Sequence, residues 1–208
     1  MSLLTTWGYT ITDADALPAM LTDTEFNTMT ANKYAGDVRI PDNLAAASMA
    51  IRNYCDWHMY PVQACSFTET LLFENGRVKR IGCDYVIQLP ATCVTGVTSV
   101  TINGEAWTDY SLSTNGTLHL FDAGRLSRRS QVVVNYTAGL SDAMMAGVKE
   151  LIAHRVTHAL ASSAGVQSES AGGVSITYSS NWINSSRSTA LADDNKEVLA
   201  PYKLRGVF

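Results

Sequence analysis

The segment Val97-Thr98-Ser99-Val100-Thr101-Ile102-Asn103-Gly104 decides the fold class of this 208-residue chain. Apolar β-branched residues lead into Asn103-Gly104, and both residues of such a pair tolerate the positive φ that a two-residue type I′ hairpin requires. Two more pairs, Asn75-Gly76 and Asn115-Gly116, occur nearby. We therefore predict an antiparallel β block over residues 64–138.

The other strands of this block are predicted from short apolar runs between turn residues. Residues 86–89 form one strand, and residues 118–121 follow the third Asn-Gly pair. The return from the Asn103-Gly104 turn is marked by Trp107, Tyr110 and Leu112. The last strand, residues 132–136, has the strongest strand propensity, and Gly139 ends it.

A first helix is predicted over residues 42–60, directly before the β block. Asp42 is its N-cap candidate and Pro61 stops it. One stripe at steps of three and four residues contains Leu44, Ala47, Ile51, Tyr54, Cys55 and His58. We expect this stripe to lie in the core or at a subunit contact.

A second helix is predicted over residues 142–161, after the β block, with Ser141 or Asp142 as its cap. One broad face of this helix gathers Met144, Met145, Val148, Leu151, Ile152, Val156 and Ala159. Arg155 falls inside that face, so its charge must reach solvent or pair with a carboxylate across a contact. We interpret Arg155 as half of a structural or inter-subunit ion pair.

Residues 1–41 are predicted to be an N-terminal arm or a short helix. The run Thr22-Asp23-Thr24-Glu25 has the spacing of a capping box, which favours a helix over residues 24–33. At the other end, the small and polar residues 162–173 favour a flexible loop, and a short strand is expected at residues 174–178.

The closing part of the chain is predicted as a helix over residues 189–200, ended or kinked by Pro201, and a tail to Phe208. The fold class is therefore α+β: a small helical bundle with an inserted antiparallel β-hairpin block, a flexible N-terminal arm and a C-terminal helix and tail. We predict two parts, the arm at residues 1–41 and a single domain at residues 42–208.

Composition restricts the function classes. The formal net charge is −4 and the sequence pI is about 5.5, which disfavours a protein that grips nucleic acid by neutralising phosphates. The N-terminus has no basic start and no sustained apolar run, so no signal peptide or membrane span is expected. The four cysteines lack the close pairs of a zinc site and are expected to be reduced, partly buried thiols of a cytosolic protein.

No motif indicates catalysis or a cofactor. His154 and His158 are four residues apart, but Arg155 stands where a zinc metalloprotease has its glutamate. Ser141 follows a strand and precedes a helix, but the second glycine of a nucleophile elbow is missing, so a capping role explains it better. We therefore predict no enzyme activity, no catalytic residue, no metal and no cofactor.

Three segments resemble the gp6-like head–tail connector (adaptor) proteins of tailed bacteriophages. The first is the helix at residues 42–55. The second runs from Leu89 through residues 97–104 and Tyr110 to the run Val132-Val133-Val134-Asn135-Tyr136-Thr137-Ala138-Gly139, which is similar to the family's strand, hairpin, V-x-Y-x-A-G and helix order. The third, residues 198–205, is similar to the family's closing Leu-x-Pro-Tyr-Arg. The resemblance covers residues 42–205, although Ser141-Asp142-Ala143-Met144 replaces the family's usual proline after Ala-Gly.

The resemblance implies a structural virion protein that forms a homo-oligomeric ring, usually of twelve copies, under the portal at the head–tail junction. Its partners would be the portal protein and the next neck or tail-completion protein, with assembly in the host cytoplasm and no membrane. DNA would pass through the channel without sequence-specific binding, because an acidic wall repels phosphates. The residues predicted for a subunit or portal interface are Met144, Met145, Val148, Arg155, Tyr202, Arg205 and Phe208.

Two alternatives stay open from the sequence. One is another neck or tail-completion protein, such as a stopper or terminator, for which a more wholly β fold is expected. The other is an enzyme or small-ligand binder, which would need a pocket with convergent polar groups and perturbed titration.

Overall fold

A computed structural model describes residues 3–12, 14, 16–71, 77–113, 115–123, 126–127, 129–161, 168–171, 174–177 and 193–204. The chain divides into two compact units. The β unit comprises Met1–Leu17, Cys55–Ser141 and Tyr202–Phe208, and the helical unit comprises Pro18–Tyr54 and Asp142–Pro201. Helices and antiparallel sheets both occur, which confirms the predicted α+β class.

The β unit contains two antiparallel sheets. The strands, in chain order, are β1 (Leu3–Leu4), β2 (Thr10–Ile11), β3 (Gln63–Thr70), β4 (Val78–Ile81), β5 (Asp84–Gln88), β6 (Val94–Ile102), β7 (Glu105–Ala106), β8 (Tyr110–Leu112), β9 (Thr117–Leu120) and β10 (Gln131–Ala138). One sheet has the order β1-β2-β3-β10-β6-β7 and the other the order β4-β5-β9-β8. The first sheet is centred on β10, the strand with the strongest predicted propensity.

β10 holds the larger sheet together because it pairs along its whole length with β3 and β6. Its side chains alternate, so that Val132, Val134, Tyr136 and Ala138 are buried. Register shifts against β6 occur between Asn135 and Tyr136 and between Thr137 and Ala138. Such bulges bend a strand and increase its twist.

The Asn-Gly turns differ from one another. Asn103 and Gly104 have φ values of 53° and 86° and join β6 to β7, which confirms the predicted type I′ turn. At the third pair only Gly116 has positive φ, and Ser113 N–H donates to Thr117 O across a longer loop. The prediction of a two-residue turn there was wrong, because β8 ends at Leu112 and β9 begins only at Thr117. Asn75-Gly76 lies outside the described residues.

A buried polar network lies beside β10 in the β unit. Tyr9 Oη accepts a hydrogen bond from His58 N–H at 2.9 Å and lies 2.7 Å from His58 Nδ1, while His58 Nε2 lies 3.0 Å from Ala138 O. One tautomer satisfies all three contacts: Nε2–H donates to Ala138 and Nδ1 accepts from Tyr9. The Tyr9 and His58 side chains are almost entirely buried, so each polar atom needs such a partner.

Residues 3–12 differ from the predicted arm, because they belong to the larger sheet. β2 pairs with β3, and Tyr9 and Ile11 are buried in the core of the β unit. Two-residue strands carry no periodic pattern that a sequence reading could detect. The short helix predicted at the capping box is present as α1 (Asp23–Met29), with Thr22 as N-cap, but it ends at Met29 because Ala31 and Asn32 have positive φ.

The helical unit also contains α2 (Ile40–Cys55), α3 (Ala146–Ala161) and α4 (Asp193–Leu199), which a 3₁₀ turn at Ala200–Tyr202 follows. α2 ends five residues earlier than predicted, since Asp56 has a φ of 64°. α3 begins later than predicted, because residues 142–145 form a turn in which Met145 N–H donates to Asp142 O. The described part of the predicted closing helix is α4.

The predicted loop at residues 162–173 is in part a strand. Ser168–Ala171 (β11) pairs antiparallel with Val174–Thr177 (β12). The two residues between them, Gly172-Gly173, are a recognised hairpin signal, and backbone pairing does not require apolar side chains. The expected strand after residue 173 is confirmed over Val174–Thr177, and residues 162–167 lie outside the described part of the chain.

Candidate functional site

The structure separates the residues predicted for an interface. Met144 is 47% exposed, whereas Met145 and Val148 are fully buried in the core of the helical unit. Arg155 is half-buried, and this burial lowers the pKa of its guanidinium. On α3 and the turn before it, Met144 and Arg155 are therefore the members of the predicted set that retain exposed surface.

The C-terminal members of that set belong to the β unit. Tyr202 is half-buried, and its carbonyl accepts a 2.7 Å hydrogen bond from Trp57 Nε1. Leu204 N–H donates to Cys55 O at 2.9 Å. These two bonds fix residues 202–204 against Cys55, the last residue of α2, and against Trp57. Arg205 and Phe208 lie outside the described residues.

The two histidines of α3 are in ring contact with each other. The His154 and His158 rings have centroids 4.6 Å apart, edge to face. Burial, and then the neighbouring His154, lower the pKa of His158. Among the described residues, no group of three or more His, Cys, Asp or Glu side chains is arranged to hold a metal ion.

The cysteines are free thiols in different surroundings. Burial raises the pKa of Cys55 and of Cys65 to about 12 each, which makes both unreactive at neutral pH. Cys83 is exposed and Cys93 is half-buried. No helix within the described ranges has the length and apolar character needed to cross a membrane.

A groove of about 400 Å³ lies in the helical unit between α1 and the start of α3. Leu21, Met29 and Ala146 supply apolar surface to it. Met29 is 45% exposed, so an apolar side chain that entered the groove would remove this surface from water.

Charged side chains from both helices surround this groove. Lys149 Nζ lies 2.6 Å from Glu25 Oε1 and 3.0 Å from Asp142 Oδ1, and Glu150 also lines the groove. The hydrogen bond from Lys149, followed by that from the Thr22 backbone, lowers the pKa of Glu25. Three carboxylates against one ammonium leave the groove with net negative charge. The sequence drew attention to Glu25 only as a capping residue, and no local signal linked it to Lys149.

Replacing Lys149 by methionine is expected to lower the free energy of unfolding by up to about 1 kcal/mol at neutral pH, because the ion pairs of Lys149 with the partly exposed Glu25 and the exposed Asp142 are lost. The lowered pKa of Glu25 means that its contribution is fully present above the ordinary value of 4.5 and is lost as the pH falls through the lowered value. Urea unfolding between pH 7 and pH 3 should therefore show that the free energy of unfolding falls less steeply toward low pH in Lys149→Met than in the natural chain.

Lys33→Met is the matched control, since Lys33 Nζ lies over the Tyr34 ring and Lys33 does not line the groove. In this variant the free energy of unfolding should fall toward low pH as it does in the natural chain. The same fall in Lys149→Met as in the natural chain would contradict the role given to the Glu25–Lys149 pair.

Comparison with known proteins places the chain in context. The model of a family described as "Head completion protein" matches residues 19–187, which is most of the chain. The match begins before α1, and so includes much of the predicted arm, and it ends before the closing segment at residues 198–205 that contributed to the resemblance. The comparison with curated proteins gave no match.

Proposed function

The chain belongs to the head completion protein family, and from this membership we propose that it forms a ring that joins the portal of a phage head to the tail. The family makes it a structural component of the phage head, which supports the predicted connector or completion protein. Ring formation, portal attachment and completion of the DNA channel are the finer parts of the proposal. The family match is the single observation that carries them.

The mixed architecture supports a connector over the more wholly β alternative. Four helices occur among the described residues, beside the sheets of the β unit. The order of β6, its Asn103-Gly104 hairpin, β10 and then α3 is also the order on which the resemblance was based. A stopper or terminator, proposed as the alternative, would be expected to consist mainly of strands.

The charge of the chain is consistent with a DNA channel. A net charge of −4 gives the assembled ring a negative field, in which duplex DNA is repelled from the wall and can slide. We propose that DNA passes through without sequence-specific binding, and that the protein has no catalytic activity. The portal and the next neck or tail-completion protein are the proposed partners.

We propose that Met144, Arg155 and Tyr202 contribute exposed surface to subunit or portal contacts. Met145 and Val148 support the same helix from the inside, since they are buried in the helical unit. The predicted contributions of Arg205 and Phe208 belong to this proposal as well.

Arg155→Glu is expected to raise the subunit concentration needed for half-assembly of the ring at least about tenfold, because a reversed charge at a contact places like charges together. Analytical ultracentrifugation across a concentration series measures this effect, and circular dichroism checks that the fold is retained. Arg155→Gln, which removes the charge without reversing it, should give an intermediate result. If Arg155→Glu assembles as the natural chain does, Arg155 is not at the contact.

A further inference from the structure

The outer end of the β4–β5 hairpin is an exposed and positively charged projection. Residues 79–83, which we call the β4–β5 tip, are all exposed, and Ile81 shows 54% of its surface. The hairpin from Arg77 to Asp84 contains three cations and one carboxylate, that of Asp84, which pairs with Ile81, so its net charge is positive. Single exposed aliphatic side chains are common on protein surfaces, so the cations beside this one are what distinguish it, and together they suit an acidic, partly apolar partner site.

A second apolar side chain extends this surface on the same face of the sheet. Ile81 pairs with Asp84, and the pairing of Tyr85 with Leu120 brings Phe121 beside Asp84 on the next strand. Asp122 N–H donates to Asp84 Oδ1 at 3.0 Å and fixes this arrangement. Phe121 follows β9, and its ring centroid lies 6.5 Å from that of His119, which is in register with Val86 and Lys79. Phe121, which is 36% exposed, therefore lies on the face of the sheet that carries Lys79 and Ile81.

The groove between α1 and α3 has the complementary properties. Its apolar surface includes Met29, and its charged residues are Glu25, Asp142 and Glu150 against Lys149. Asp142 exposes 75% of its side chain, so an incoming cation can approach it. The groove thus offers apolar surface with a negative rim, and the β4–β5 tip offers an apolar side chain in a hairpin of net positive charge.

We propose that the β4–β5 tip of one copy of this chain docks in the α1–α3 groove of the next copy. The occupant is a second copy because both surfaces occur on one chain and are opposite in charge. Two different patches that bind each other make a heterologous contact, which generates a ring when the rotation closes. The inference rests on the proposed ring and identifies the contact that would build it.

Native Cys83 makes this contact directly testable, since it lies exposed in the tip. Thr28 is exposed and lines the groove, so Thr28→Cys supplies the second thiol. A short bis-maleimide added to Thr28→Cys is expected to give a ladder of crosslinked dimers and higher species on a denaturing gel. The ladder should be absent from Thr28→Cys combined with Cys83→Ser, and from Ala46→Cys, which places a thiol on exposed α2.

The outcomes separate this contact from the proposed ring. Multimers in ultracentrifugation without the Thr28→Cys ladder would overturn the contact and leave the ring standing. A crosslink confined to the monomer band would also overturn it, because the two thiols would then belong to one chain. Monomers at every concentration would overturn both the contact and ring formation by this chain alone.

Substitutions test the same contact without crosslinking. Ile81→Asp should raise the concentration for half-assembly at least about tenfold, since it removes the apolar anchor and adds a charge of the groove's own sign. Val38→Asp, at an 88% exposed site, should leave assembly unchanged. Lys79→Glu and Glu150→Lys should each weaken assembly and should restore it in part when combined. Additive losses without restoration would contradict the pairing of these two surfaces.

Discussion

Gly139→Ala is expected to destabilise the protein by about 3–5 kcal/mol. Gly139 has a φ of 143°, and a Cβ at this position would lie 2.5 Å from Val62 Cα and 2.8 Å from Pro61 O. Both neighbours are backbone atoms, so relief requires that the chain itself moves. Backbone strain and overpacking each cost about 1–3 kcal/mol. Urea unfolding followed by circular dichroism measures the loss.

Gly96→Ala is the matched control because it makes the same change in β6, the strand that pairs with β10. A Cβ at Gly96 meets no atom within 4 Å, and its φ lies outside the positive region. Its unfolding free energy should stay within about 1 kcal/mol of the natural chain. Equal effects of the two substitutions would refute the close approach at Gly139.

Trp57→Ala is expected to lower the free energy of unfolding by about 3–5 kcal/mol, the usual range for removing a buried tryptophan. The indole is fully buried, packs edge to face on His58 with centroids 5.5 Å apart, and donates from Nε1 to Tyr202 O. Its removal leaves a cavity and an unpaired carbonyl at the start of the C-terminal segment. Trypsin should therefore cleave after Lys203 faster in this variant, in addition to the loss measured by urea unfolding.

Trp107→Ala is the control for the change of side chain. Trp107 is half-buried, and its Nε1 donates locally to Asp109 O. The expected loss in the free energy of unfolding is about 1 kcal/mol, with no change in cleavage after Lys203. The loss in Trp57→Phe should fall between those of Trp57→Ala and Trp107→Ala, because it keeps an aromatic ring but leaves the Tyr202 carbonyl unpaired. If trypsin cleaves Trp57→Ala after Lys203 no faster than it cleaves the natural chain, this residue does not anchor the C-terminal segment.

Local signals in the sequence predicted those elements whose causes are local. Asn103-Gly104 specifies its turn through two backbone conformations, and the Thr22–Glu25 capping box specifies the start of α1. The valine-rich run of β10 combines strand propensity with burial of alternate side chains. Each of these elements could be predicted without knowing what packs against it.

Elements that depend on distant partners could not be predicted in this way. β2 exists because β3 offers an open edge, and the His58 network needs Tyr9, which lies 49 residues away. Gly139 looked like a strand end, whereas the structure gives it a close contact with Pro61 and Val62. None of these pairings leaves a periodic trace in the sequence.

The same limit applies to the candidate interaction surfaces. Helical periodicity placed Met145 and Val148 on an apolar face, but it cannot tell whether the chain itself or a partner covers that face. The structure shows that the chain itself buries both. The acidic groove arises only when Glu25 and Lys149, 124 residues apart, come together. Its relevance to assembly therefore became visible only from the fold.

Negative-stain electron microscopy of the purified protein across a concentration series tests the central claim of ring formation most directly. The account predicts closed rings with a central hole wide enough for duplex DNA, about 20 Å or more. The same sample incubated with the cognate portal should show rings attached at one end of the portal. Monomers or open filaments at every concentration, together with no attachment to the portal, would contradict the claim.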